Sequence, residues 1–127
     1  MDALTYKNNE LHIEQSSLEH IAAQYSTPTF IYSKAEISRA YQAYAQALGQ
    51  HPGMICYAVK ANSNLGVLSL LAQMGSGFDI VSIGELERVL KAGGDPKKVV
   101  FSGVGKKPEE IARALEVGVA CLSLIHI

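Results

Sequence analysis

The chain has 127 residues, room for one ordinary domain. Hydrophobic residues make up 48% and charged residues 18%, which excludes a disordered chain, and a net charge of -1 leaves no electrostatic footprint for nucleic acid or an anionic membrane surface. No apolar run approaches the ~20 residues of a membrane helix, and Met1-Asp2-Ala3-Leu4-Thr5-Tyr6 lacks the basic and apolar regions of a signal peptide, so a cytoplasmic setting is expected.

Tyr6-Lys7 and Leu11-His12-Ile13 flank the turn-prone pair Asn8-Asn9 and predict a small hairpin. Residues 16–24 predict a helix, with Ser16 and Glu19 at capping-box spacing and Leu18, Ile21 and Ala22 as its apolar stripe. Pro28 stops it, and Thr29-Phe30-Ile31-Tyr32 reads as a strand. Ser33 and Glu36 form a second capping-box pair, opening an alanine-rich helix to about Leu48 that Gly49 can end. Pro52-Gly53 is a turn before an apolar run from Met54 to Val59, which reads as a buried strand. Residues 65–74 predict a helix with Leu65, Leu68 and Ala72 on one face, and residues 78–81 a strand. Residues 84–92 predict a helix stopped by Gly93-Gly94-Asp95-Pro96, Val99-Val100-Phe101 a strand, and Pro108-Glu109-Glu110 the start of a helix closed by Gly118.

Strand and helix therefore alternate with short connections, which implies a parallel sheet with right-handed crossovers. The pattern alone does not separate a doubly wound sheet from a barrel. Met54, Ala58, Val99 and Phe101 are assigned to the inner face of that sheet.

The segment richest in chemistry is Tyr57-Ala58-Val59-Lys60-Ala61-Asn62. Lys60 ends the apolar run, at the carboxyl end of a strand, where parallel α/β folds gather their chemistry. A lysine in a partly dry pocket can have its pKa lowered and become an amine nucleophile for Schiff-base chemistry. Equally, a strand can end in lysine because the chain has reached solvent. Strand alternation places Lys60 on the face of Ala58 and Cys56, and Asp79 with Gly77 and Val81. A carboxylate inside an apolar strand needs a partner, so Asp79 either approaches Lys60 from the neighbouring strand, or caps a helix or meets water at a strand end. Ser82-Ile83-Gly84-Glu85 has capping-box spacing, which accounts for Glu85 without chemistry. Asn62 and Ser63 favour turns and are read as shaping the loop after Lys60. Gly103-Val104-Gly105-Lys106 lacks the G-x-x-x-x-G-K-[ST] spacing and precedes Pro108, so it is not a phosphate loop. Cys56 and Cys121 belong to no CxxC pair, as in a reduced compartment, and the four histidines show no metal-ligand spacing, so no metal is expected.

Four motifs, in order, resemble the barrel-fold pyridoxal-phosphate decarboxylases, the family that holds ornithine, arginine and diaminopimelate decarboxylases. They are Ile55-Cys56-Tyr57-Ala58-Val59-Lys60-Ala61-Asn62-Ser63-Asn64, Gly75-Ser76-Gly77-Phe78-Asp79-Ile80-Val81-Ser82, Gly84-Glu85-Leu86, and Val100-Phe101-Ser102-Gly103-Val104-Gly105-Lys106. Ala61-Asn62-Ser63-Asn64 and Ser102-Gly103-Val104-Gly105-Lys106 are most similar to the diaminopimelate branch. The resemblance runs from about Tyr6 to Ala120 and gives way at Cys121-Leu122-Ser123-Leu124-Ile125-His126-Ile127.

The resemblance implies an α/β fold: the N-terminal half of a pyridoxal-phosphate-binding (β/α)8 barrel of fold type III, with about four of the eight units and without the family's C-terminal β domain. Residues 1–14 are then a hairpin belonging with that β domain, residues 15–120 the partial barrel, and residues 121–127 a non-native tail on a fragment of a longer chain. It implies pyridoxal 5'-phosphate as cofactor, held at Lys60 with Asp79 and Glu85 nearby, and Lys60 as the catalytic residue. The implied reaction converts meso-diaminopimelate to L-lysine and carbon dioxide, with homodimers in the full-length protein. The fragment alone is expected to be inactive and prone to aggregate. The family's phosphate loop, ring-nitrogen carboxylate and substrate-selecting residues fall later in its pattern. Ornithine, arginine or carboxynorspermidine decarboxylation, or a non-catalytic homologue that only binds, stand as alternatives.

Overall fold

Two asparagines set the first turn of the chain. Asn8 and Asn9 both adopt left-handed backbone, with φ of 51° and 66°. A two-residue hairpin turn that matches strand twist needs that conformation at both positions, and asparagine tolerates it. Strand β1 (Leu4–Lys7) thereby pairs antiparallel with β2 (Glu10–Ile13), Lys7 opposite Glu10. A third strand, β3 (Ser16–Ser17), adds to β2 with Ser16 opposite Ile13. The computed structural model describes residues 3–124 and divides into two compact units between Ala43 and Tyr44.

Helix α1 (Leu18–Tyr25) follows directly, and Ser17 caps it, its Oγ accepting from His20 N at 3.4 Å. The predicted cap, Ser16, lies one residue too early because its backbone belongs to the ladder with Ile13. Thr29-Phe30-Ile31-Tyr32 forms no ladder, contrary to the predicted strand. An extended segment becomes a strand only where a neighbouring backbone takes up its hydrogen bonds, and among the described residues none does; Phe30 is 90% exposed. Helix α2 (Lys34–Leu48) begins as predicted, with Ser33 Oγ accepting from Glu36 N at 3.0 Å. Glu36 does not complete the box; it pairs with Arg39. Glu14 holds the start of α2 instead, accepting from Ser33 Oγ at 2.6 Å and Ala35 N at 2.9 Å. These two donors keep its carboxyl below the usual glutamate range.

In the second unit β4 (Cys56–Ala58), α3 (Leu65–Gln73), β5 (Gly77–Ile80), α4 (Ile83–Lys91), β6 (Val99–Phe101), α5 (Pro108–Val117) and β7 (Cys121–Leu122) alternate. The four strands form one parallel sheet in the order β4-β5-β6-β7. Sequential order has no reversal, so this sheet lacks the switch point of a doubly wound fold. Right-handed crossovers between successive neighbours put every helix on one face. Accordingly α4 packs against both α3 and α5. β7 uses the first two residues of the segment that the sequence reading sets apart as a tail, and residues 125–127 lie outside the described ones.

The core lies between sheet and helices. Phe78, Ile80, Val99 and Phe101 point to the helices and are fully buried with Val59, Leu68, Leu86, Val89 and Ala114. Val99 and Phe101 therefore belong to the helix face, not to the inner face assigned from sequence. A run of three apolar residues carries no polar marker of its phase, and the register, Phe78 opposite Val99 and Asp79 opposite Val100, supplies it. Fully burying each large side chain contributes about 1.5–3 kcal/mol. Gly94 is part of this packing: a Cβ there would lie 2.5 Å from Val89 Cγ1 and 3.0 Å from Phe78 Cε2.

The helix starts in this unit are capped by side chains. Asn64 Oδ1 accepts from Gly66 N at 2.8 Å, and Ser82 Oγ from Glu85 N at 3.3 Å. Glu110 serves two helices, accepting from Lys107 N at 3.0 Å and Ile83 N at 3.1 Å. Those two amides hold its carboxyl below the usual glutamate range. Gly118, with φ of 75°, ends α5 in the left-handed conformation that glycine adopts without strain.

Candidate functional site

The face of the sheet turned away from the helices carries small and polar residues: Cys56, Ala58, Gly77, Asp79 and Val100, continued by Ser102 just past β6. Its carboxyl-terminal edge is where a parallel sheet with short strand-to-helix loops exposes reactive groups.

Lys60 stands at that edge. Strand β4 ends at Ala58, and Val59–Ala61 forms a single 3-10 turn. The alternation used to place Lys60 on the face of Ala58 thus stops two residues before it. Val59 is fully buried in the core and anchors the turn, while Lys60 is exposed. Among the described residues its Nζ has neither a hydrogen bond nor an ion pair. The loop that follows is held from both sides. Tyr57 Oη donates to Asn62 O at 3.2 Å, Asn64 N donates to Asn62 Oδ1 at 2.9 Å, and Arg88 Nη1 of α4 donates to Ser63 O at 3.4 Å. Asn62 therefore shapes the loop through both its side chain and its carbonyl, and Ser63 contributes its carbonyl.

Asp79 lies opposite Ala58 in the register of β4 and β5, and the Val59–Ala61 turn packs against β5. Lys60 and Asp79 are thus brought to neighbouring strand ends. The partner that a half-buried carboxylate requires is Ser102, whose Oγ donates to Asp79 Oδ1 at 2.5 Å. Sequence reasoning includes Ser102 in the fourth motif but gives it no role; only its place two positions beyond Val100, on the same face, could have marked it as the partner of Asp79, and that needs the register. Cys56 shares this face. Burial, and then the charge of Asp79, push its thiol up, so it is a poor nucleophile here.

Glu85 sits in the first turn of α4. Its amide donates to Ser82 Oγ, and its Oε2 accepts from Val81 N at 2.8 Å. The capping-box spacing is legible, but the carboxylate reaches the amide before the cap rather than that of Ser82. Among the described residues no cluster of three or more His, Cys, Asp or Glu could hold a metal ion, and no helix is long and apolar enough to cross a membrane.

An exposed, unpartnered amine on an anchored turn can attach an aldehyde. Small neighbours on the open face leave room for a flat ring, and the tethered carboxylate offers it a fixed charge. The donor set fits an aldehyde cofactor of the pyridoxal type.

The comparisons agree with that chemistry. A family profile described as pyridoxal-dependent decarboxylase, pyridoxal binding domain, matches residues 34–125. The chain is 59% identical to the diaminopimelate decarboxylase of Pseudomonas aeruginosa over 124 residues, which are 98% of this chain and 30% of that protein. It is 55% identical to the diaminopimelate decarboxylase of Vibrio cholerae over 125 residues, again 98% of this chain and 30% of that one. The crystal structure of diaminopimelate decarboxylase from M. jannaschii, in co-complex with L-lysine, superposes with a TM-score of 0.90 at 30% identity, covering 97% of this chain and 30% of its own. The chain spans about 30% of the length of these relatives. Its fold is that of the N-terminal part of their barrel.

Proposed function

The chain belongs to the pyridoxal-dependent decarboxylases, through a match to their pyridoxal-binding domain, and on that premise we propose that the full-length protein converts meso-diaminopimelate to L-lysine and carbon dioxide. The observation that carries the substrate is the 59% identity to a diaminopimelate decarboxylase across 98% of the chain. That a relative of the same fold is solved in complex with L-lysine, the product named here, supports it.

Lys60 is the residue to which the cofactor attaches, and a turn anchored by the buried Val59 holds its backbone still. Asp79 supplies a fixed negative charge on the open face, which orients Lys60 before attachment and the cofactor after it. Glu85 acts from the first turn of α4: by binding Val81 N it fixes the backbone between β5 and that helix, at the rim of the site. When bound, pyridoxal phosphate supplies the electron sink for the pair left behind as carbon dioxide departs. The small side chains of Cys56 and Ala58 leave the ring its space, and the raised thiol of Cys56 keeps it from competing for the aldehyde. We place the working enzyme in the cytoplasm as a homodimer. The hairpin of β1 and β2 completes a β domain formed by later sequence.

Carbon dioxide release by the purified full-length protein, assayed on meso-diaminopimelate, ornithine, arginine and lysine, tests the proposal. Clear preference for meso-diaminopimelate is the expected result. Preference for ornithine or arginine moves the protein to another branch of the family, and no turnover on any of them with cofactor bound argues for a binding role.

A further inference from the structure

We propose that Ser102 is a positioning residue that sets the side-chain orientation of Asp79 for cofactor binding; this rests on the reading of Lys60 and Asp79 as cofactor residues. Ser102 Oγ lies 2.5 Å from Asp79 Oδ1 and 3.4 Å from Ile80 O, so its proton goes to the carboxylate. Ser102 is the one hydrogen-bond donor to the Asp79 carboxylate among the described residues. With Oδ1 engaged, Oδ2 is left without a protein donor among those residues and is the oxygen available to Lys60 or the cofactor.

The hydroxyl is itself rigidly placed. Ser102 N donates to Ile80 O at 2.9 Å, extending the β5–β6 ladder by one residue. Phe101 before it is fully buried. Gly103 after it turns the chain at φ of 85°, where a Cβ would press on Val81 Cβ at 3.2 Å. The Lys106 ammonium clamps the same loop, donating to Gly103 O and Ser123 O at 2.7 Å each and lying 5.0 Å from the centre of the Phe101 ring. A donor fixed in this way holds a carboxylate in one rotamer, which a serine on a mobile loop would not.

The test uses the full-length protein with Ser102→Ala, Ser102→Thr, Asp79→Ala and the Ser102→Ala/Asp79→Ala double variant. Dissociation constants for pyridoxal phosphate come from titration of each apoprotein, alongside the visible spectrum of the bound cofactor, kcat and KM. Ser102→Ala is expected to weaken cofactor binding and lower kcat by about tenfold with KM unchanged, to alter the bound spectrum, and to be rescued by threonine. The double variant should be no worse than Asp79→Ala. Wild-type binding and kcat in Ser102→Ala, or losses that multiply in the double variant, would overturn the inference alone. Wild-type cofactor binding, spectrum and turnover in Asp79→Ala would overturn the site reading and the inference with it. If Ser102→Ala does not fold, threonine against the isosteric Ser102→Val decides: only threonine should keep cofactor affinity, and equal affinities would refute the role.

Discussion

Lys60 joins an amine without a partner among the described residues to a backbone pinned by its buried neighbour Val59. Replacing it in the full-length protein with alanine should lower turnover at least about a thousandfold, and arginine should not restore it, because a guanidinium cannot form the attachment. Carbon dioxide release against substrate concentration checks both. Glu110 makes a second prediction at this scale. The amides of Lys107 and Ile83 hold its folded-state carboxyl below the usual range, so its contribution to stability is present above the unfolded glutamate value of about 4.3 and is lost as pH falls through the lower folded value. Glu110→Gln should therefore destabilise at pH 7, with the difference from wild type shrinking in acid; unfolding midpoints across pH 3–7 measure it. Much of this was legible in the residues. The end of an apolar run marked Lys60, and the Ser82 to Glu85 spacing marked a cap. Ser102 was not legible, since its role depends on the pairing of β5 with β6, which no local pattern encodes.

The elements themselves were legible where propensity and punctuation agree. From β4 to α5 the second unit's strands and helices follow the predicted order because Asn64, Ser82, Pro108 and Gly118 mark helix ends chemically; β7 falls in the segment set apart as a tail and was not predicted. Errors came where the signal is relational. Thr29-Phe30-Ile31-Tyr32 has strand composition but no partner ladder among the described residues. Ser16 and Ser17 are chemically alike, and only the pairing of Ser16 with Ile13 passes the cap to Ser17. The apolar run into Val59 conceals a change from strand to 3-10 turn, because both conformations bury that valine. Gly94 gives the prediction proper to this scale. A methyl group there collides with Val89 and Phe78, so Gly94→Ala should cost about 1–3 kcal/mol by overpacking and lower the unfolding midpoint without changing the absorbance of bound cofactor.

For the whole molecule, alternation of strand and helix fixed the class but left barrel and doubly wound sheet open. The sequential order β4-β5-β6-β7 shows no switch point within these four strands, with helices on one face and the reactive edge on the other, and the match to the pyridoxal-binding domain decides for the barrel. The two faces divide the work: the helix side supplies the buried core, and the open side keeps small residues around Asp79 and Ser102. The cofactor reading joins these scales, since it needs the family match, the exposed turn after β4 and the unpartnered amine together. Its most direct test is reduction of the cofactor-loaded full-length protein with borohydride, followed by peptide mapping. The account predicts a phosphopyridoxyl group on the peptide carrying Lys60, and on that residue alone. Stable attachment to a different lysine, or a fully loaded protein with Lys60 unmodified, would contradict it.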